Sequence, residues 1–177
     1  MKRTEIAVNH FETEPFRILA EDWMILASGD FGKNQFNIMT IGWGSFGTMW
    51  RTPFVMVAVR PQRHTYTFIE EHDSFTVSAF PEKYKKALSL CGSKSGKDID
   101  KFKAAGFTPI ASSKVKSPGI DEAELILECR KIYSDGFHPE NFMSPEIEKC
   151  YPAKDYHQFY FGEVLSIQGT EKYRKKS

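Results

Sequence analysis

Apolar residues along the chain fall into short runs and alternating stretches, and both patterns predict β-strands. The longest purely apolar run, residues 54–59, is partly β-branched and is typical of a strand buried on both faces. A later stretch alternates, and it places Leu125, Leu127 and Cys129 on one face. The predicted strands cover residues 23–27, 54–59, 74–80, 124–133 and 159–167.

Helical signals are fewer and shorter than the strand signals. Pro81 suits the first position of a helix, and Gly106 suits the position just past the end of another. Because turns rather than regular helices separate most strands, the pattern predicts an antiparallel barrel with a few covering helices. The predicted helices cover residues 65–71, 81–92 and 97–105, and a small helix opens at Ser144 and Pro145.

Composition limits the class of protein. A chain of 177 residues, 41% hydrophobic and 27% charged, predicts one folded domain, with a lead-in over residues 1–20 and a polar tail over residues 168–177. The net charge of +1 gives no general argument for nucleic acid or a membrane surface as partner. Residues 82–116 nevertheless carry an excess of six positive charges, and residues 119–148 an excess of six negative ones. These are either two solvated faces or, for the basic stretch, a site for an anionic group.

Several kinds of site have no support in the sequence. The basic N-terminus is not followed by an apolar run, which favours a cytoplasmic protein over a secreted one. Cys91, Cys129 and Cys150 form no CxxC pair, so reduced thiols are expected and no metal site. The chain also lacks the glycine patterns of Rossmann and P-loop nucleotide sites and the G-x-S-x-G elbow of hydrolases.

Two segments carry residue types that suit a planar ring and a phosphate. Residues 37–47 set glycines beside an amide, a thioether, a hydroxyl and an indole, which can read the edge and cover the face of a heterocycle. Residues 60–65 bring two arginines, a histidine and a hydroxyl to the start of a predicted helix, where phosphate binds readily. The plainer interpretations are a glycine-rich bend of the barrel and a basic surface turn.

Two further segments are open to a functional or a structural interpretation. Residues 91–98 set short hydroxyls and lysines among glycines between two helices, which is either an anion cradle or an exposed polar linker. His157 follows Asp155 ahead of the last strand and is either an acid–base group or part of a solvated turn.

Four motifs in the same order and spacing resemble the flavin reductase-like FMN-binding split-barrel family, closest to its flavoredoxin branch. They are Asn37-x-Met39-Thr40-x-Gly42-Trp43-Gly44, Arg60-Pro61-x-Arg63-x-Thr65 with Phe68-Ile69, Phe75-Thr76-Val77-Ser78, and the run from Cys91 to Phe102. The resemblance extends to Tyr160-x-Gly162-Glu163-Val164 in the last strand.

The resemblance implies a mainly β fold, a six-stranded antiparallel split β-barrel, that binds FMN as a homodimer with the flavin near the subunit interface. It implies that Asn37, Met39, Thr40 and Trp43 line the isoalloxazine ring. It assigns the phosphate to Arg60, Arg63, His64 and Thr65 with Ser93 and Lys94, and it places Ser78 and Phe80 near the ring or the ribityl chain.

The implied activity is electron transfer through bound FMN, with NAD(P)H as the possible donor. The leading expectation is an NAD(P)H-dependent flavin or acceptor reductase. Since the flavin carries the redox step, no side chain need act as acid or base, and none is named as catalytic. The alternatives are a flavoredoxin-type electron carrier reduced by another protein and, more distantly, a non-redox barrel that binds nucleic acid. The acceptor is expected to be a small molecule or a protein, with neither nucleic acid nor membrane as partner.

Overall fold

The computed structural model describes residues 2–176 and builds most of them into one antiparallel sheet. Its strands and those of a small second sheet are β1 (Thr4–Glu5), β2 (Met24–Asp30), β3 (Gln35–Ile41), β4 (Gly44–Met49), β5 (Thr52–Val59), β6 (Ser74–Ala79), β7 (Pro109–Ile110), β8 (Gly119–Ile120), β9 (Leu125–Gly136) and β10 (Gln158–Gly169). The helices are α1 (Pro15–Arg17), α2 (His64–Glu71), α3 (Lys85–Ser93), α4 (Lys101–Ala105) and α5 (Pro145–Glu148).

The large sheet is curled into a barrel that stays open along one seam. Its strand order is β3-β2-β6-β9-β10-β5-β4, and β1 adds to the side of β10. Met39 of β3 and Val57 of β5 lie near opposite ends of this order but belong to the same buried core. The sheet therefore wraps around that core, and the seam runs between β3 and the β4–β5 hairpin.

A second apolar layer lies outside the barrel, under α3 and α4. Alternation along the strands divides the side chains between the two layers. In β9, Leu125, Leu127 and Cys129 face the barrel interior as predicted, whereas Ile126 joins the outer layer. The outer layer also contains Phe80, Leu88, Cys91, Phe102 and Phe107. It fixes the helices of the basic stretch against the back of β2 and β3.

The fold class and the five predicted strands are confirmed, with differences in number and boundary. The sheet formed by residues 2–176 has eight strands, whereas the resemblance implies six. The pattern of apolar residues missed β1, which is only two residues long, and β4, which is too glycine-rich to show alternation. Helix α4 begins at Lys101, later than predicted, since Asp100 caps it by accepting a 3.1 Å hydrogen bond from the Lys103 N–H. Gly106 ends it in the left-handed conformation, with φ of 69°.

Both ends of the described chain pack against the barrel. The N–H of Ile6, which is 2% exposed, donates a 2.8 Å hydrogen bond to the carbonyl of Ile167 in β10. Tyr173, in the predicted polar tail, is buried and donates a 2.6 Å hydrogen bond to Glu124. The lead-in and the tail are thus part of the fold, while positions 1 and 177 of the predicted domain lie outside the described residues. Within residues 2–176 no helix combines the length and apolar character that crossing a bilayer requires.

Candidate functional site

A small pocket opens at the seam, where β3 ends, β5 ends and α2 begins. Its volume is about 210 Å³, and it brings together five residues that the sequence motifs single out: Met39, Thr40, Trp43, Arg60 and Arg63. The remaining walls come from Ile41, Gly42, Ala58 and His157. This seam pocket is the candidate functional site.

The outer edge of β3 forms one side of the seam pocket. In the described chain β3 pairs with β2 alone, so backbone N–H and C=O groups on its other edge have no strand partner. Helix α3 is held close to this edge, because the Thr40 hydroxyl donates a 2.5 Å hydrogen bond to the Leu88 carbonyl. A Cβ added at Gly92 would lie 3.3 Å from the Thr40 Cβ, so a small residue favours this close approach.

Asn37 joins β3 to α2 below the seam pocket. Its side-chain amide donates a 3.1 Å hydrogen bond to the Thr65 hydroxyl, and both residues are buried. A Cβ at Gly96 would lie 2.5 Å from the Asn37 Oδ1, so the loop between α3 and α4 can cover the amide only with glycine there. Two of the predicted site residues, Asn37 and Thr65, therefore bind each other and join β3 to α2, and neither lines the seam pocket.

Lys101 fastens the same loop to β3. Its ammonium group is buried and donates hydrogen bonds of 3.0 Å to the Ile38 carbonyl and 2.8 Å to the Cys91 carbonyl. Burial lowers the pKa of Lys101. A cation from the basic stretch is thereby held beside the start of α2.

Arg63 is a pocket-lining cation whose charge is not matched by a carboxylate among the described residues. It is the N-cap residue of α2, and no side chain caps that helix start. Its guanidinium donates a 2.7 Å hydrogen bond to the Gly92 carbonyl, and within residues 2–176 it forms no ion pair with a carboxylate. Arg63 and the first turn of α2 therefore present positive charge and free N–H donors to the same space.

His64 adds an unmatched polar atom at the same helix start. Its Nδ1 atom is buried and has no hydrogen-bond partner among the described residues. Burial lowers the pKa of His64, and the positive charges of Lys97 and Lys101 lower it further. A neutral imidazole with an unmatched ring nitrogen, surrounded by cations, is an environment that an anionic hydrogen-bonding ligand would complete.

Arg60 lines the seam pocket but is already engaged within the fold, and its role in holding a phosphate stays a prediction. Its guanidinium forms a 2.6 Å ion pair with Asp155 and donates a 2.7 Å hydrogen bond to the Cys150 carbonyl. It also lies over the Tyr151 ring, 5.0 Å from the ring centre. The hydrogen bond from Arg60 is the main cause of the lowered pKa of Asp155. Arg60 therefore forms a wall of the pocket with its charge already matched.

The structure separates Ser78 and Phe80 from the seam pocket. Both belong to the region of β6, which lies two strands away from β3, about 10 Å across the sheet. Ser78 shares the outward face with Ile25 and is fully buried, and its hydroxyl has no partner among the described residues. Phe80 stacks on Phe107 at 4.7 Å under the helices. Neither residue lines the seam pocket, and their proximity to the ring or the ribityl chain stays a prediction.

Ser93 and Lys94 lie at the exposed end of α3. They follow Gly92, whose carbonyl binds Arg63, and this places them at the same margin of the site. The Ser93 hydroxyl donates a 2.9 Å hydrogen bond back to the Ser89 carbonyl within the helix. Both residues can approach an anion held by Arg63 from the solvent side.

His157 completes the pocket, although the sequence analysis considered it only as an acid–base group or as part of a solvated turn. It is 9% exposed, its Nδ1 shares a 2.9 Å hydrogen bond with the Tyr151 hydroxyl, and its ring centre lies 4.8 Å from that of Trp43. Burial lowers its pKa to about 4, with a further contribution from Arg60. The histidine beside a carboxylate was visible in the sequence, but the pairing of its ring with Trp43 required the fold.

The thiols show no feature of a reactive site. Cys91 is fully buried in the outer layer, and burial raises its pKa to about 11. Cys129 is buried in the barrel interior, and Cys150 is exposed. No group of three or more histidine, cysteine or acidic residues suited to a metal ion occurs in the part of the chain that the structure describes.

Comparison with known proteins agrees with this architecture. A family model described as a flavin reductase like domain matches residues 16–175. An uncharacterized protein of Pyrococcus abyssi is 28% identical over 141 residues, which cover 78% of this chain and 69% of that protein. Three curated relatives are matched over 53–69% of their own lengths.

Solved structures share the fold across nearly the whole chain. Flavoredoxin from Methanosarcina acetivorans has a TM-score of 0.65 and 25% identity, covering 98% of this chain and 78% of its own. The FMN-binding domain of a flavin reductase-like enzyme from Shewanella baltica OS155 has a TM-score of 0.67 and 17% identity, covering 95% of this chain and 77% of its own. The family expected from the four motifs is thereby confirmed, and the chain belongs to the flavin reductase-like domain family.

Proposed function

We propose that this protein binds FMN in the seam pocket and transfers electrons through it from NAD(P)H to an acceptor. The observation that carries the proposal is the uncompensated positive charge at the start of α2. There Arg63 lacks a carboxylate partner within residues 2–176, and the buried Nδ1 of His64 lacks a hydrogen-bond partner in the same range. An FMN phosphate, with about −1.5 to −2 charge near neutral pH, is the kind of group that such a site binds.

The residues around the pocket fit both halves of the cofactor. Met39 and Trp43 offer a thioether and an indole for the face of a flat ring, and the free edge of β3 offers backbone groups for its polar margin. Arg63 and the first turn of α2 would hold the phosphate, with Ser93 and Lys94 at the margin. The solved Shewanella baltica domain, described as FMN-binding, supports the proposal through its shared fold.

The protein's own contribution is binding and orientation. When bound, FMN supplies the redox chemistry, accepting electrons from a donor and passing them on. His157, with a pKa of about 4, stays neutral at physiological pH and adds no positive charge beside Trp43. The fixed amide of Asn37 and the buried hydroxyl of Thr65 keep β3 and α2 in register around the site. We assign no residue as a catalytic acid or base.

We also propose that the protein functions as a homodimer whose second subunit covers the seam pocket. About 210 Å³ is below the roughly 300–1,000 Å³ typical of ligand pockets, and Trp43 is 47% exposed. Two exposed aromatic residues, Trp50 in the β4–β5 turn and Tyr133 on β9, are 60% and 44% exposed. Their rings contact Phe161 of β10 at 6.0 and 5.9 Å, which makes one aromatic patch. We propose this patch as the contact surface of the second subunit.

We expect sedimentation to give twice the monomer mass for the wild type and the monomer mass for Trp50→Glu, since a charge would be buried in the interface. Phe16→Glu is the matched control, because Phe16 is 89% exposed and lies outside this patch. A monomeric wild type, or a Trp50→Glu variant that still dimerises, would contradict the proposed dimer.

The test of the activity is anaerobic mixing of the yellow purified protein with NADH or NADPH. We expect the flavin absorbance to bleach within seconds and to return on addition of an acceptor. If dithionite bleaches the flavin but neither nucleotide does, the electron-carrier alternative is favoured, which the shared fold of the Methanosarcina acetivorans flavoredoxin already supports. A colourless protein that takes up no added FMN would overturn both.

A further inference from the structure

A second pocket adjoins the seam pocket on the other side of Trp43. Its volume is about 630 Å³, and it is formed mainly by the segment that connects β9 to β10. Its apolar walls are Trp43, Phe137, Phe142, Ile147, Tyr151 and Phe159. We call it the aromatic pocket. It has the size of a typical small-molecule site, which is roughly 300–1,000 Å³.

The walls of the aromatic pocket suit a flat apolar ligand. Phe142 and Tyr151 lie nearly parallel, with an interplanar angle of 12° and ring centres 6.2 Å apart. On the side of the pocket formed by β10, the ring centres of Phe137 and Phe159 lie 5.2 Å apart. Ring faces and edges arranged this way favour stacking or edge-to-face contact with another ring.

The aromatic pocket is coupled by position to the seam pocket. Trp43 lines both, and its ring lies 6.4 Å from Tyr151 and 4.8 Å from His157. Tyr151 is 3% exposed, and its hydroxyl is held by His157. The shared wall is therefore a fixed part of the structure, and a ligand of the aromatic pocket would lie next to the proposed flavin.

The charges at the rim select against an anion. Among the residues that line the pocket, Asp135 is the only carboxylate, and neither a lysine nor an arginine is present. The connecting segment adds Glu140, Glu146 and Glu148, while its two lysines, Lys149 and Lys154, lie outside the pocket lining. An anionic ligand would meet the Asp135 carboxylate without a cation in the pocket wall, whereas a neutral ligand would meet no like charge.

We infer that the aromatic pocket binds a neutral planar ring compound lacking carboxylate, sulfonate or phosphate groups. Resting on the proposed function, this compound is the electron acceptor, and a neutral quinone exemplifies the class. A quinone would gain two electrons and two protons and leave as the hydroquinone. The electrons come from the reduced flavin, which returns to its oxidised form, and the protons come from that flavin and from solvent.

The binding test uses two fluorescent probes that differ by one sulfonate, N-phenyl-1-naphthylamine and 8-anilinonaphthalene-1-sulfonate. We expect the neutral probe to bind at a one-to-one ratio and at least about tenfold more tightly than the sulfonate. Phe142→Ala should weaken the neutral probe about tenfold or more, since a pocket wall is removed. Ile147→Glu, at a position 38% exposed, should have a similar effect and keeps the test valid if Phe142→Ala does not fold.

The controls separate this inference from its rivals. Phe16→Ala changes an exposed ring elsewhere and should leave probe binding unchanged. Equal affinity for both probes, or binding unaffected by both pocket variants, would overturn the inference. Binding that weakens as the protein concentration rises would overturn it as well, because a second subunit would then fill the pocket.

An FMN titration of the same preparations tests the proposed function independently. Protein that binds FMN but does not prefer the neutral probe would overturn the aromatic-pocket inference alone. Protein that prefers the neutral probe but binds no FMN would overturn the proposed function, and with it the acceptor role, while the binding site itself would stand.

Discussion

Replacing Arg63 with alanine is expected to weaken FMN binding by about 10- to 100-fold, since hydrogen bonds to charged groups contribute roughly 1.5–3 kcal/mol. Arg63 occupies the N-cap position of α2, and within residues 2–176 its guanidinium pairs with no carboxylate, so a phosphate bound there would lose its charged fork in the variant. The side chain is partly exposed at the margin of the fold, and the variant should fold normally. Fluorescence titration of the apoprotein with FMN measures the effect.

Two matched variants define what the Arg63→Ala result means. Arg63→Lys keeps the charge without the fork and should recover part of the affinity. Arg17→Ala removes an exposed arginine that pairs with Glu14 and Asp22, remote from the seam pocket, and should leave the affinity unchanged. Unchanged FMN affinity in Arg63→Ala would remove the phosphate assignment.

Acidification from pH 7 to pH 5 is expected to cost the fold about 2 kcal/mol through His157 alone. The pKa of His157 falls from an ordinary 6.5 to about 4 in the folded protein, mainly because the ring is buried. Between these two values the unfolded chain binds the extra proton and the folded chain does not. Stability therefore rises with pH through this window, is fully present above pH 6.5, and is lost progressively as the pH falls towards 4.

The measurement is thermal unfolding of the apoprotein at several pH values between 7.5 and 5. His157→Gln should be less stable than the wild type at pH 7.5, because the contacts with Trp43 and Tyr151 change, but should lose less stability on acidification. For a chain of this length, 2 kcal/mol corresponds to a difference of about 4–8 °C in Tm. His10→Gln, at an exposed position, is the control and should follow the wild-type pH dependence. A His157→Gln variant with the wild-type pH dependence would contradict the assignment.

Much of the fold was readable from the residues. The apolar run at 54–59 and the alternation of Leu125, Leu127 and Cys129 predicted β5 and the inward face of β9, and the structure confirms both. These segments are informative because burial imposes a period that their side chains must follow. Strand β4 was missed because glycine and polar residues replace the alternation there, so its position depends on its hairpin with β5.

The site was readable only in part, because its residue types are set by sequence but their partners are set by topology. The motifs identified five residues of the seam pocket, Arg60 and Arg63 among them. They could not show that Arg60 is paired with Asp155 whereas Arg63 is not. That pair joins positions 95 residues apart, which no local pattern can reveal. The strand motif that includes Ser78 does not state which face of the sheet its side chain occupies, and the structure places it beside Ile25, outside the seam pocket.

The two pockets are built from different parts of the fold, and this affects how the protein can change its specificity. The seam pocket is built from strand ends and the start of α2, whereas most of the aromatic pocket belongs to the single connection between β9 and β10. Connections of this kind tolerate substitution and changes of length better than the barrel that carries them. Exchanging residues 137–157 for the equivalent segment of a relative would therefore be a direct way to engineer the choice of acceptor without rebuilding the cofactor site. Substitutions confined to this segment would likewise change the choice of acceptor in the course of evolution.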